Sequence, residues 1–299
     1  MPLIEYVPKR FGKDSLQIIE QANAIIAEYQ AQGFVLTLRQ LYYQYVARDL
    51  IRNKQSEYKR LGGIINDARL AGLIDWNAIE DRTRNLRSLS HFNSPEDIIN
   101  AAARQYRLDL WEGQEYSPEV WIEKDALVGV IEGVCTELDV PYFACRGYSS
   151  QSEQWRAGMR GNDHNRNGQK LIIFHLGDHD PSGIDMTRDN EDRLNIFCDR
   201  SVYVKRLALN MDQIEKYNPP PNPAKATDSR FNGYADKFGD ECWELDALDP
   251  SVIVKMIRKE VLAIRNKDVY QDNHDRQEEE RKQLLGVAAT WDKIVKRLK

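Results

Sequence analysis

Leu171-Ile172-Ile173-Phe174-His175-Leu176-Gly177-Asp178-His179-Asp180-Pro181-Ser182-Gly183-Ile184 is an apolar run that stops abruptly at two carboxylates and a turn. Residues 171–174 are too few for a helix and are bounded by polar and Gly-containing sequence, the pattern of a fully buried central strand. Asp178 and Asp180 lie two apart, which in extended chain puts both side chains on one side. Pro181 and Gly183 turn the chain, and Ile184-Asp185-Met186-Thr187-Arg188 opens a helix. The same order of short strand, acid and helix recurs in Pro118-Glu119-Val120-Trp121-Ile122-Glu123-Lys124-Asp125-Ala126-Leu127. Ligands of open α/β sheets gather at the carboxyl ends of strands, so Glu123 is expected to meet Asp178 and Asp180 although 55 positions separate 123 from 178. Oxygen-only donors suit Mg²⁺ or Mn²⁺ rather than zinc, so the three acids read as a magnesium site. On spacing alone, Asp178 and Asp180 also fit a turn and helix-cap pair.

A second signal lies upstream, in Thr37-Leu38-Arg39-Gln40-Leu41-Tyr42-Tyr43. Thr37 suits an N-cap, and Leu38, Leu41, Tyr42 and Tyr45 fall at i, i+3, i+4 and i+7, a buried stripe. Tyr42 is therefore the expected core residue. Arg39 and Tyr43 are i, i+4 neighbours on a different face, so the guanidinium can stand beside the phenol. A phenol with an ordinary pKa of about 10 is a poor nucleophile at neutral pH, and a neighbouring cation or metal favours its phenolate. Two core aromatics with a surface arginine would leave the same pattern.

Around this segment the sequence predicts helices over residues 14–32 and 56–71, closed by Gly72, with Ile74–Glu80 as a hairpin or wing. Downstream it predicts a linker over 88–95, a helix over about 96–110 and a strand at 142–144. Cys145–Ser150 then reads as a capped turn or phosphate-contacting loop before a short helix. Asn218–Pro223 reads as a rigid connector, and Glu244 and Asp246 as structural before chemical. Leu284, Val287, Ala288, Trp291, Ile294, Val295 and Leu298 line one helical face that could cover the sheet or a second subunit. No internal repeat is present.

Glu123-Lys124-Asp125-Ala126 with Gly177-Asp178-His179-Asp180-Pro181-Ser182-Gly183-Ile184 resembles the Toprim domain of the topoisomerase VI A subunit and of the meiotic double-strand-break transesterase. Arg39-Gln40-Leu41-Tyr42-Tyr43 is similar to the Arg-x-x-Tyr-Tyr segment of that family's winged-helix domain. The resemblance spans about residues 33–248 and is thin between the two motifs. It implies an α/β protein with a winged-helix domain over residues 1–90 and, over 91–299, a Toprim domain with a mainly parallel sheet and a C-terminal helical extension. It further implies that Tyr43 cleaves double-stranded DNA through a 5′-phosphotyrosyl link, with Arg39 assisting and Glu123, Asp178 and Asp180 holding Mg²⁺. Lys124 would bind phosphate or pair with Asp125. A homodimer is implied, with each tyrosine meeting the metal of its twofold mate. The family uses a separate ATPase subunit, yet this chain is shorter and has no Gly-x-x-x-x-Gly-Lys segment. Two alternatives keep the same residues: a hydrolytic Toprim nuclease, and a non-catalytic winged-helix DNA-binding protein.

Composition sets the frame for these readings. The 299 residues are 41% hydrophobic and 30% charged, which suits two packed domains of a soluble protein. No apolar run approaches a membrane span, and Met1-Pro2-Leu3-Ile4-Glu5-Tyr6 lacks a signal peptide's layout, so a cytoplasmic protein is expected. Cys135, Cys145, Cys198 and Cys242 show no Cys-x-x-Cys spacing and read as reduced core thiols. His175 and His179 flank Asp178 without zinc-ligand geometry. The net charge is −5, divided unevenly: residues 1–90 carry 13 Lys and Arg against 10 Asp and Glu, a balance of +3, and the rest carry −8. Lys9, Arg10, Lys13, Arg48, Arg52, Lys54, Lys59, Arg60, Arg82, Arg84 and Arg87 are the candidate phosphate contacts around Tyr43.

Overall fold

The computed structural model describes residues 3–80, 89, 91–200 and 202–298. Arg82, Arg84 and Arg87, and part of the expected linker, lie outside the described residues. Three helices follow the apolar stripes of the first eighty: α1 (Lys13–Ala31), α2 (Leu38–Ala47) and α3 (Gln55–Leu70). Ile19, Ala22, Ile26 and Tyr29 of α1, Leu41 and Tyr45 of α2, and Leu61, Ile65 and Ala68 of α3 form one core with Leu36, Ile74 and Ile79. Thr37 caps α2 as its position requires. Its hydroxyl accepts from the Gln40 N–H at 3.3 Å while the Gln40 side chain accepts from the Thr37 N–H at 2.9 Å, a capping box. Gly72 closes α3 at φ 69°, and a Cβ there would stand 2.8 Å from the Glu5 nitrogen.

Residues 74–80 do not pair as a hairpin. Ile79 bridges Leu36 in parallel and the Glu80 N–H donates to the Leu36 carbonyl at 3.2 Å, because Ile74 and Ile79 are drawn into the helical core. The expected helix over 96–110 also ends early. α4 (Pro95–Gln105) stops at Tyr106, whose backbone is extended (ψ 123°), and beyond it Asp109 takes the Trp111 N–H at 2.8 Å as Leu110 and Trp111 turn into the sheet core.

A four-stranded parallel sheet follows, β1 (Tyr116–Ile122), β2 (Tyr142–Ala144), β3 (Lys170–Leu176) and β4 (Tyr203–Ala208), in the order β2-β1-β3-β4. Alternation along the strands feeds two layers of helix. Val120, Ile122, Phe174 and Leu176 pack with α5 (Val128–Glu137) on one face. Trp121, Leu171 and Ile173 pack on the other against α6 (Gln151–Arg166), a longer helix than expected, and α7 (Pro181–Phe197). The chain leaves β1 toward β2 and returns on the other side of β1 as β3, so the strand order reverses between β1 and β3. That crevice is where ligands of open sheets bind.

Beyond β4 come α8 (Met211–Tyr217), β5 (Asn222–Pro223), α9 (Phe231–Phe238) and β6 (Glu241–Cys242), with β5 and β6 antiparallel. The connector expected at 218–223 is thus partly a strand. A 3-10 turn at Leu245–Ala247 leads into α10 (Pro250–Ile264), whose Ile253, Ile257 and Val261 complete the α5 face of the sheet. The C-terminal helix expected to cover the sheet or a second subunit is two helices, α11 (Lys267–Ala289) and α12 (Trp291–Leu298). Thr290 lies at the break, its hydroxyl donating to the Gly286 carbonyl at 2.8 Å, and Val287 remains 41% exposed. No helix among the described residues is long and apolar enough to cross a membrane.

Candidate active site at the ends of β1 and β3

Parallel pairing places the two acid-bearing strand ends side by side. Ile122 is in register with Leu176, and one residue further the Glu123 N–H donates to the Leu176 carbonyl at 2.8 Å. The Asp178 N–H returns the contact, donating to Glu123 Oε2 at 2.8 Å. Glu123 and Asp178 therefore meet as the strand-end rule predicts.

Asp180 takes the other role left open by the spacing. Its Oδ1 accepts from the Gly183 N–H at 2.6 Å and from the Ser182 hydroxyl at 3.0 Å, capping α7. Gly183 is required there: a Cβ would stand 2.2 Å from the Asp178 carbonyl oxygen. Asp178 has both oxygens engaged. Oδ1 accepts from the Leu245 N–H at 2.7 Å and Oδ2 pairs with Lys124 Nζ at 2.9 Å.

Lys124 is the hub of the site and does not pair with Asp125. Its ammonium lies 2.9 Å from each of Asp178 Oδ2, Glu244 Oε2 and Asp246 Oδ1, while Asp125 pairs with Arg146 at 3.0 Å. Glu244 and Asp246, read from sequence as structural, carry the network onward to α2. Arg39 Nε donates to Asp246 Oδ2 at 2.8 Å and its Nη2 pairs with Glu244. The Tyr43 hydroxyl accepts from Arg39 Nη2 at 3.5 Å, with the Glu244 carboxylate that Arg39 holds beside it. Arg39 and Tyr43 thus adjoin as their i, i+4 spacing predicts. Tyr43, however, is as deeply buried as Tyr42, each 4% exposed, because the 245–247 turn covers the α2 face expected to be open. Tyr42 donates instead to Asn53 Oδ1 at 3.0 Å.

Protonation follows this packing. Burial pushes the Asp178 carboxyl up to about 7, with the Glu123 and Asp246 charges adding to it and Lys124 opposing. Glu123 is raised by burial and by the charge of Asp180. Burial acts the same way on Glu244, but Lys124, the Tyr43 hydroxyl and Arg39 overcome it and hold that carboxyl down at about 2. Tyr43 is raised well above its ordinary range by burial, then by Asp246 and Glu244, with Arg39 opposing. It is a neutral phenol here. Burial lowers His175 to about 3 and His179 to about 4, so both rings are neutral. They bond Thr187 Oγ1 at 2.8 Å and the Tyr234 hydroxyl at 2.7 Å.

A second cation lies behind the acids. Arg206, at the end of β4, reaches the carbonyls of Gly177 (3.1 Å), Asp178 (2.6 Å) and Gly183 (2.8 Å), pinning the loop from below. The acids thus have two neighbouring cations, Lys124 and Arg206.

The donor set is oxygen-only, as Mg²⁺ or Mn²⁺ would require. The arrangement does not fit such an ion. Asp180 is turned to its helix cap, Lys124 already neutralises Asp178, and among the described residues no group of three or more His, Cys, Asp or Glu is placed to hold a metal.

The basic residues divide in two. Lys9, Arg48 and Arg60 are paired with Asp67, Glu28 and Glu57, while Arg10, Lys13, Arg52, Lys54 and Lys59 are exposed. Cys145–Ser150 is a capped turn, with the Ser150 hydroxyl accepting from the Glu153 N–H at 3.3 Å. No family model and no curated protein matches the chain.

Proposed function

We propose that the chain is a DNA transesterase of the kind represented by the A subunits it resembles. Tyr43 attacks a backbone phosphate of double-stranded DNA: its oxygen–phosphorus bond forms as the bond to the 3′-oxygen breaks, and the phenol proton passes on balance to the departing 3′-oxygen. The products are a 5′-phosphotyrosyl link and a 3′-hydroxyl, so resealing consumes no nucleotide. Arg39 offsets charge on the phosphoryl oxygens, and the exposed lysines and arginines of α1 to α3 hold the duplex. The working form is a homodimer, each chain cutting one strand, and strand passage would call on a separate ATPase subunit.

One observation carries this reading. Tyr43 and Arg39 are joined to the strand-end acids by an unbroken chain of contacts through Glu244, Asp246 and Lys124. A nucleophile, a guanidinium and a carboxylate cluster share one neighbourhood. Any Mg²⁺ or Mn²⁺ held by Glu123, Asp178 and Asp180 requires a side-chain arrangement other than the one described, and no step above runs through it.

The burial of Tyr43 favours one rival, a nuclease that uses the acids with water as nucleophile. Incubation with 3′-labelled duplex followed by a denaturing gel separates the two. The transesterase leaves label in a protease-sensitive protein adduct that disappears in Tyr43→Phe and persists in Tyr42→Phe. Cleaved DNA without adduct, unaffected by Tyr43→Phe, would establish the nuclease instead.

A further inference from the structure

Tyr43 is unusable as it stands: it is 4% exposed, and its hydroxyl lies 3.5 Å from Arg39 Nη2, which is itself held by the Glu244 carboxylate. Arg39 is spent as well, its Nε on Asp246 and its Nη2 on Glu244, although its side chain remains 44% exposed. We propose that the turn bearing Glu244 and Asp246 is a latch that holds the Arg39–Tyr43 pair of its own chain away from DNA until α2 separates from it. This rests on the reading of Tyr43 as the nucleophile.

The boundary between α1–α3 and the rest of the chain is built to separate. Within the helical core, the one buried residue from beyond position 80 among the described residues is Ala247, so parting the two exposes little apolar area. Polar ties cross it as well: Tyr29 to Asp249 Oδ2 at 2.8 Å, Asn53 to Asn222 Oδ1 at 2.7 Å, and the Arg39 pairs. Polar ties exchange for water at small net cost. Lys124 makes the open state tolerable, because it keeps Glu244, Asp246 and Asp178 paired after Arg39 leaves. The closed form sets two cations against the three carboxylates and the open form one, so the open form is reached when another anion takes up Arg39. A phosphate arriving at Arg39 competes with the two carboxylates and so favours the open form.

Nitration of Tyr43 by tetranitromethane, followed by peptide mass spectrometry, reads the latch without DNA. In the wild-type chain Tyr43 should react at least about tenfold more slowly than Tyr6, which is 62% exposed. Glu244→Gln/Asp246→Asn should raise the Tyr43 rate several-fold. Tyr29→Phe/Asn53→Ala loosens the same boundary without touching a site charge, so it should raise both the Tyr43 nitration rate and the yield of covalent DNA adduct. Wild-type nitration of Tyr43 as fast as Tyr6, or an adduct yield that falls when the boundary is loosened, would overturn the latch. No adduct from any protein, with nitration behaving as expected, would sink the transesterase reading and leave the closed contact standing.

Discussion

The strand-end acids and the tyrosine helix are held by different means. Glu123 and Asp178 are fixed by backbone: parallel register sets Ile122 against Leu176, and the next residues bond each other within the same sheet. Arg39 and Tyr43 sit on a helix whose own cap and core are complete, and their partners Glu244 and Asp246 lie 205 and 207 positions from Arg39. The first arrangement is rigid and local in the fold. The second is a side-chain contact across a boundary, so it is the one that can change during a reaction.

Cutting the hub tests that contrast most severely. Lys124→Met would leave Asp178, Glu244 and Asp246 without their shared counterion, a loss of about 3–5 kcal/mol for a broken buried pair. Urea denaturation should show the full loss, and hydrogen exchange should show α2 less affected than β1 or β3, because without Lys124 the Glu244 and Asp246 carboxylates depend on Arg39 alone. Equal protection across both regions would mean that they are not joined through Lys124.

The next effect in size is a pH dependence confined to the acids. With the folded Asp178 carboxyl at about 7, the folded state holds a proton that the unfolded chain releases near its ordinary value of about 4. Stability therefore falls as pH rises between those values, and Glu123, also raised, adds in the same direction. Glu244, held at about 2, loses its contribution only as pH falls toward that value and does not enter this window. In EDTA, Asp178→Asn should match wild type below about pH 4 and exceed it by on the order of 2–4 kcal/mol at pH 8. A variant less stable than wild type at pH 8 would show that pairing with Lys124 outweighs burial.

The smallest effect belongs to the tyrosine helix's own cap. Thr37→Ala removes the α2 cap and should cost about 1 kcal/mol. Its effect on adduct yield should be slight, because Arg39 and Tyr43 are held by Glu244 and Asp246 rather than by the cap. A large drop in adduct from this change would place α2 geometry, not the distant turn, in control of the tyrosine.

What the sequence disclosed divides along the same line. Period-3.6 stripes mark α1 to α3, the two acid-ended strand segments mark β1 and β3, and open-sheet geometry brings Glu123 to Asp178. Asp180 illustrates the limit: two-residue spacing admits both a shared face and a helix cap, and the cap is realised. Glu244 and Asp246 were illegible because nothing local marks a carboxylate that bonds a residue two hundred positions away. The signal that could have pointed to them is Lys124, a cation between Glu123 and Asp125 at a buried strand end and in need of more than one partner. The burial of Tyr43 was hidden for the same reason, since helical periodicity describes a helix without the turn that later covers it.

The central claim is that Tyr43 is the residue that bonds to DNA. Peptide mapping of protein recovered after incubation with duplex, nuclease trimming and protease digestion tests it directly. The account predicts a nucleotide remnant on the peptide carrying Tyr43, linked through the phenol oxygen, and none on the same peptide of Tyr43→Phe. A remnant on Tyr42 or any other residue, or cleaved DNA with no remnant on the protein, would contradict it.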